Sequence, residues 1–336
     1  MSLEVVLAGV ILLSLIVYAL LGGADFGGGV WDLLAWGPRS GEQRQTIARA
    51  IGPIWEANHV WMIVAVVLLF TAFPLAFAVI MTALHIPVTL MLVGIVLRGS
   101  SFVFRKVSPE GEGKASHWQR VFAVSSIITP VMLGVVLGAI STPAIGYEDG
   151  TVTGGFVAPW LAPFPWVVGA FALALFAFLA AVYLTLETTE PNLQGDFRAR
   201  ALGSAAVVGA VGSIALVMAP GAAPELANRL GESPAGWGFL AIGGMSLLGA
   251  ALALYRRRYV LARVLAGSFV AAVLAGWGFA MDPWLVAGAL SIHDSAAPDV
   301  TLRLVLWILG LGTVLLVPAF AYLYLTFKRQ VLFPGR

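Results

Sequence analysis

The chain has no cysteine. That excludes disulfides, thiolate metal sites and a thiol nucleophile. Charge is scarce too: Asp, Glu, Lys and Arg make up 11% of 336 residues, against 60% hydrophobic. A soluble domain carries about a quarter charged residues, so this composition belongs in a membrane. Only four histidines occur, and none has a partner at metal-ligand spacing. The formal net charge of +2 implies no nucleic-acid partner. No basic residue precedes the first apolar run, and Glu4 stands at its edge. The run is therefore expected to be a retained helix and not a cleaved signal.

Long apolar stretches are what the chain has. Nine of them, each of roughly 18 to 28 residues, are long enough to cross the hydrocarbon layer as helices. They fall near 4–24, 55–75, 77–97, 119–140, 160–186, 200–219, 236–255, 260–280 and 303–327. The sequence thus predicts an all-α polytopic membrane protein, with 1–336 a single integral membrane domain. As one helix, His59 to Leu97 would be about 58 Å long, too long for a bilayer near 30 Å thick. Pro74 lacks an amide hydrogen and restrains Phe73, so the turn between the second and third spans is expected there. Nine spans place all but two of the nineteen Lys and Arg residues on one side, leaving Arg229 and Arg303 opposite. By the positive-inside rule this orients the chain N-out and C-in.

No loop is long enough for a soluble domain. In the longest, Ile47 and Ile51 lie one turn apart within 40–51, which suggests a short interfacial helix. Glu148, Asp149, Asp282, Asp294 and Asp299 occupy outer loops, where acids are ordinarily solvated. Trp277 and Trp284, at the end of the eighth span, read as interfacial anchors.

Polar residues gather at the inner ends of the first three spans. The first closes with Gly22-Gly23-Ala24-Asp25-Phe26-Gly27-Gly28-Gly29, followed by Trp31 and Asp32. Asp25 is either a buried proton-accepting group or a capping carboxylate where the helix stops. The second span opens with Trp55-Glu56-Ala57-Asn58-His59-Val60-Trp61. Glu56 and His59 are three residues apart, on one helical face, and both exchange protons. The competing reading makes Glu56 an N-terminal cap and His59 a packing residue. Arg98 closes the third span on the same side, where it either neutralises an acid or snorkels to headgroups. His85, at an expected depth near mid-membrane, reads first as a structural hydrogen-bonding residue, and less readily as a haem or quinone contact. Glu187 and Glu190 follow the fifth span, with proton collection the lesser reading.

Taken together, these segments resemble subunit II of the cytochrome bd family of bacterial quinol oxidases. The likeness rests on the glycine-rich run through Asp32, on Ile51-Gly52-Pro53-Ile54-Trp55-Glu56-Ala57-Asn58-His59-Val60-Trp61, and on Arg98. It continues through Gly276-Trp277-Gly278-Phe279-Ala280, Ala297-Pro298 and the closing Pro318 to Lys328 segment. Trp-Glu-Ala-Asn-His stands where the family has Trp-Asp-Gly-Asn, which marks a divergent branch. Glu187 also stands where related subunits often carry lysine.

The resemblance implies two four-helix bundles plus one peripheral helix, in the bacterial cytoplasmic (inner) membrane. It implies a haem-bearing partner, subunit I, holding haem b and haem d-type groups, with membrane quinol and lipids as further partners. Small single-helix accessory subunits also fit, and a structural quinone is the one cofactor this chain is a candidate to hold. Carried over by position, Glu56 takes the carboxylate associated with proton uptake, Asn58 the asparagine, Asp25 the acid of the glycine motif and Arg98 its charged companion. The resulting expectation is that Glu56, assisted by Asp25, Asn58 and His59, conducts cytoplasmic protons toward the subunit interface. The alternatives are a purely structural partner subunit that binds quinone or lipid, and a secondary transporter.

Overall fold

The computed structural model describes residues 2–52, 55–107 and 114–332. Pro53 and Ile54 of the second motif and Arg336 of the tail lie outside them. In chain order the elements are α1 (Leu3–Leu33), α2 (Ser40–Ile51), α3 (Trp55–Asn58), α4 (Val60–Ala72), α5 (Pro74–Ala83), α6 (His85–Val107) and α7 (Lys114–Ile140). A hairpin of β1 (Gly146–Glu148) and β2 (Thr151–Thr153) leads to α8 (Ala158–Leu161), α9 (Pro163–Leu184), α10 (Pro191–Ala222) and α11 (Pro224–Glu232). Then come α12 (Pro234–Tyr255), α13 (Tyr259–Met281), a second hairpin of β3 (Trp284–Val286) and β4 (Leu290–Ser291), and α14 (Asp299–Leu332).

Proline opens five of these helices: Pro74, Pro163, Pro191, Pro224 and Pro234. Its missing amide hydrogen costs nothing at that position, and its fixed φ suits the first turn. Among the described residues, eight helices are long and apolar enough to cross a membrane. A bent pair, Ser40–Ile51 and Glu56–Ala72, inclined at 51° to each other, is the candidate for a ninth passage.

The passages form two bundles and an outlier. In the first, α1 packs on α4 and α7, and α6 lies along α7. In the second, α9 pairs with α10, α12 pairs with α13, and the pairs close on each other. Helix α1 also packs along α9 and touches α13, so it belongs to both halves. Helix α14 meets only α1 and α4 substantially, and its membrane stretch is unburied by the rest of the chain.

Missing side chains set the closest approaches. A Cβ on Gly27 would collide with the Phe176 carbonyl of α9. Between α7 and α9 the fit is reciprocal: a Cβ on Gly134 would lie 2.6 Å from the Val168 oxygen, and one on Gly169 2.7 Å from the Val131 oxygen. With little hydrophobic drive between helices in lipid, such close packing supplies much of the attraction.

Three expectations need correction. Helix α1 runs to Leu33, not 24, because packing on α9 and α2 holds the glycine-rich run helical despite its weak propensity. Asp25 is therefore within a helix and is no terminal cap. The chain also breaks twice after α4, at Phe73 (φ −134°, ψ 60°) and at Leu84 (φ −116°, ψ 23°). The ten residues of α5 would reach only about 15 Å, short of a crossing. Its buried Ala76, Val79, Ile80 and Ala83 join the core of the first bundle. The third crossing thus starts at His85 instead of 77. His85 moves from mid-depth to a helix start, and Arg98 moves from a helix end to the interior of α6.

Helix α2 carries Ile47 and Ile51 into a small core with Phe102, Phe122, Leu184, Leu193 and Phe197. That contact ties α2 to helices of both bundles. At the opposite face, Trp277 donates its indole hydrogen to Ser141 Oγ (2.9 Å), a bond within the fold in place of free anchoring.

Candidate functional site

The polar cluster is built around Asp25, which is 5% exposed on α1. Asn58 ends the four-residue α3 and is 1% exposed; its Nδ2 donates to Asp25 Oδ2 at 2.7 Å. A buried carboxylate is costly unless its oxygens are hydrogen-bonded, and the broken second span puts a donor at that depth.

Arg98, also 1% exposed, reaches the same place from α6. Its Nη2 donates to the Asp25 carbonyl at 2.9 Å. Its guanidinium lies 4.7 Å from the Phe26 ring centre and 5.2 Å from that of Phe122, in cation–π range of both. Its Nε makes no hydrogen bond. A cation and a carboxylate in one dry cluster each offset part of the other's desolvation.

Aromatic rings close the cluster. The Tyr18 hydroxyl lies 3.4 Å from His59 Nδ1, and the two ring centres are 5.7 Å apart. Phe26 meets His59 edge-on at 5.7 Å and stacks on Phe176 at 6.3 Å. His59 is thus half-buried against Tyr18 and Phe26. Glu56, by contrast, is exposed on the surface of this chain. The shared face expected for Glu56 and His59 is not realised as a joint site: the backbone stays helical through His59 (φ −70°, ψ −17°), but Glu56 faces out while His59 packs on Tyr18 and Phe26. His85 is exposed at the start of α6, with Nδ1 3.0 Å from the Thr82 carbonyl and its ring against Phe156. It takes no part in the cluster.

A cavity of about 70 Å³ adjoins the cluster. Asp25 and Asn58 line it together with Tyr183, Glu187 and Arg263. That volume holds a few waters, and the walls offer the polar partners water requires. A second cavity, about 390 Å³ and largely apolar, lies between α1, α7, α9, α10, α12 and α13. Phe171, Leu175, Phe239, Leu247 and Phe269 line it, and Tyr18 borders it beside the polar cluster.

Sequence reasoning missed Tyr18 and Tyr183, counted Arg263 only among the basic residues, and named Asp32 in the glycine-rich run without giving it a role. Asp32 is fully buried, accepts from Gln119 Nε2 at 3.3 Å, and its carbonyl faces Arg44 Nε at 3.3 Å. Its signal was present, since Asp25 and Asp32 are seven residues apart and share a helical face once α1 is known to continue. On the same side, Arg39 grips Asp196 through Nε (2.9 Å) and Nη2 (2.6 Å), and Gln43 joins Asp196 to Arg200. The Asp196 bonds hold the Arg39 guanidinium above its ordinary pKa. Glu190 caps α10, where the Leu193 amide, then Asn192, holds its carboxyl below the usual range. Among the described residues, no three His, Asp or Glu side chains assemble as metal ligands.

Residues 3–327 match the family described as cytochrome bd terminal oxidase subunit II. The cytochrome bd ubiquinol oxidase subunit 2 of Bacillus subtilis is 33% identical over 100 residues, 28% of each chain. The cytochrome bd-I ubiquinol oxidase subunit 2 of Escherichia coli is 25% identical over 217 residues, 63% of this chain and 54% of that protein. The chain therefore spans about half or less of the curated relatives it matches. A chain of the bd oxidase from Geobacillus thermodenitrificans shares the fold, with a TM-score of 0.75 at 22% identity, covering 97% of this chain and 99% of that one.

Proposed function

This chain belongs to the cytochrome bd terminal oxidase subunit II family, and on that premise we propose that it is the subunit without haem in a quinol:dioxygen oxidoreductase. Its partner is the haem-bearing subunit I, where quinol is oxidised and dioxygen is reduced to water. The chain stabilises that partner and takes part in proton uptake from the cytoplasm. It sits in the bacterial inner membrane as a multi-pass protein, N-out and C-in, an orientation favoured by its lopsided distribution of basic residues.

The observation that carries the reading is the Asn58–Asp25 bond deep inside the chain. A carboxylate there serves no surface, and membrane-buried acids characteristically mark proton routes. Arg98 holds the backbone of Asp25, and His59 and Tyr18 supply further exchangeable protons beside it. Glu56, two residues from Asn58, faces outward, and in this reading it passes protons on to subunit I. Haem in that partner supplies the oxygen chemistry; this chain's residues hold and move protons.

The test is oxygen consumption and proton uptake by the purified two-subunit complex carrying Glu56→Gln or Asp25→Asn, normalised to haem. Loss of turnover with normal haem content supports the route. Unchanged coupled turnover in both variants removes it.

A second reading rests on the larger cavity. Its aromatic and aliphatic lining, about 390 Å³ in volume, suits the isoprenoid tail of a quinone or a lipid chain held structurally. Phe239 and Leu247 would hold such a tail by packing, while Tyr18 offers one polar contact. Solvent extraction of the purified complex, followed by analysis of bound quinone and lipid, tests that role.

A further inference from the structure

The reading above leaves open how protons reach Asp25. We propose that they enter through the small cavity bounded by α1, α2, α9 and α13, with Glu187 as the outer carboxylate. The inference rests on Asp25 being a proton carrier.

The cavity lining includes buried Asp25 and Asn58 together with half-buried Tyr183, Glu187 and Arg263. Glu187 lies three residues beyond the end of α9, and Arg263 stands in the second turn of α13, just after Arg256-Arg257-Arg258. Glu187 and Arg263 are therefore the lining residues nearest the basic loops in the chain. A few waters in about 70 Å³ would complete a hydrogen-bonded chain from Glu187 to Asp25.

An approach past Arg98 is less favourable: its guanidinium bonds the Asp25 carbonyl and lies against the Phe26 ring, so a proton arriving there would meet a fixed cation. At the cavity mouth the cation is drawn aside: the Arg263 guanidinium lies 4.7 Å over the Tyr183 ring. Glu187 counters its repulsion of an incoming proton, so one carboxylate both collects and shields. Ala50 of α2 is among the apolar lining residues, and a larger side chain there would fill space without removing any polar group.

The experiment measures oxygen consumption per haem, against pH, by the purified complex with Glu187→Gln, Glu187→Asp, Ala50→Leu and Asp25→Asn. Expected results are losses of about tenfold at alkaline pH for Glu187→Gln and Ala50→Leu, where supply of protons limits turnover, with recovery toward acid pH and rescue by Glu187→Asp. If Asp25→Asn slows turnover while Glu187→Gln keeps the unaltered pH profile, the intake lies elsewhere and the proton role of Asp25 stands. If Asp25→Asn itself leaves turnover intact, the proton role falls and takes the intake with it. Should Ala50→Leu prevent assembly, the Glu187→Gln and Glu187→Asp pair decides the matter alone.

Discussion

Asn58 and Asp25 sit 33 residues apart in sequence and 2.7 Å apart in space, joined by a bond between a broken helix and a continuous one. Asn58 turns inward while Glu56, one half-turn earlier on the same helix, faces out. One short segment thereby addresses both the interior of this chain and its surroundings.

Asn58→Leu leaves a buried carboxylate oxygen without its donor. The expected cost is about 1–3 kcal/mol, and more if Asp25 stays ionised. Thermal unfolding of the purified complex, followed by loss of the haem spectrum, measures it. A melting temperature equal to that of the unaltered complex would show that water replaces the amide without penalty.

Arg98→Met removes the guanidinium from between Phe26 and Phe122 and from the Asp25 carbonyl. Losing a charged donor from a buried carbonyl costs about 1–3 kcal/mol, and the lost ring contacts add to it, so poor assembly and low haem yield are expected. Arg98→Lys recovers only part of this, since an ammonium lacks the planar face that stacks on both rings. Co-purification of the two subunits reads out the order: unaltered, then Lys, then Met.

Gly27→Ala places a methyl group against the Phe176 carbonyl. The two helices must separate, at an expected cost of about 1–3 kcal/mol. Gly9→Ala, where a Cβ meets no atom within 4 Å, serves as the control and leaves the melting temperature unchanged.

The Glu190 cap adds a pH dependence. Its carboxyl is held below the ordinary value near 4.5 by backbone amides, so the folded state binds its proton less readily than the unfolded chain. The stabilisation is full above that ordinary value and fades as pH falls through the lowered one. Glu190→Gln should therefore melt earlier than the unaltered complex near neutrality, with the gap narrowing on acidification. A gap independent of pH would assign the difference to geometry alone.

Much of this was legible beforehand, because membrane crossings impose length and polarity on the chain. The apolar runs gave the crossings, and spacing gave Ile47 and Ile51 their shared face on α2. Depth was harder to read. The proline at position 74 signalled one break, but the second, at Leu84, is marked only by Pro87 three residues on, in the first turn of α6, and was not read as a break. That unseen break displaced His85 and Arg98 by several residues along the membrane normal. The glycine run misled in the opposite direction, since propensity says it ends a helix while close contact with α9 keeps it helical. Arg263 and Tyr183 came from helices distant in sequence, and only their packing brought them beside Asp25.

Sharing α1 between the two bundles has a mechanical consequence. A carrier that exposes its site to each side in turn needs two halves free to rock about a common centre. Here one helix is a strut of both halves, locked at Gly27 to a carbonyl of the other, so such rocking would tear it from one partner or the other. The chain is braced as a stationary frame, and any ion it conducts must thread through it while the scaffold stands still.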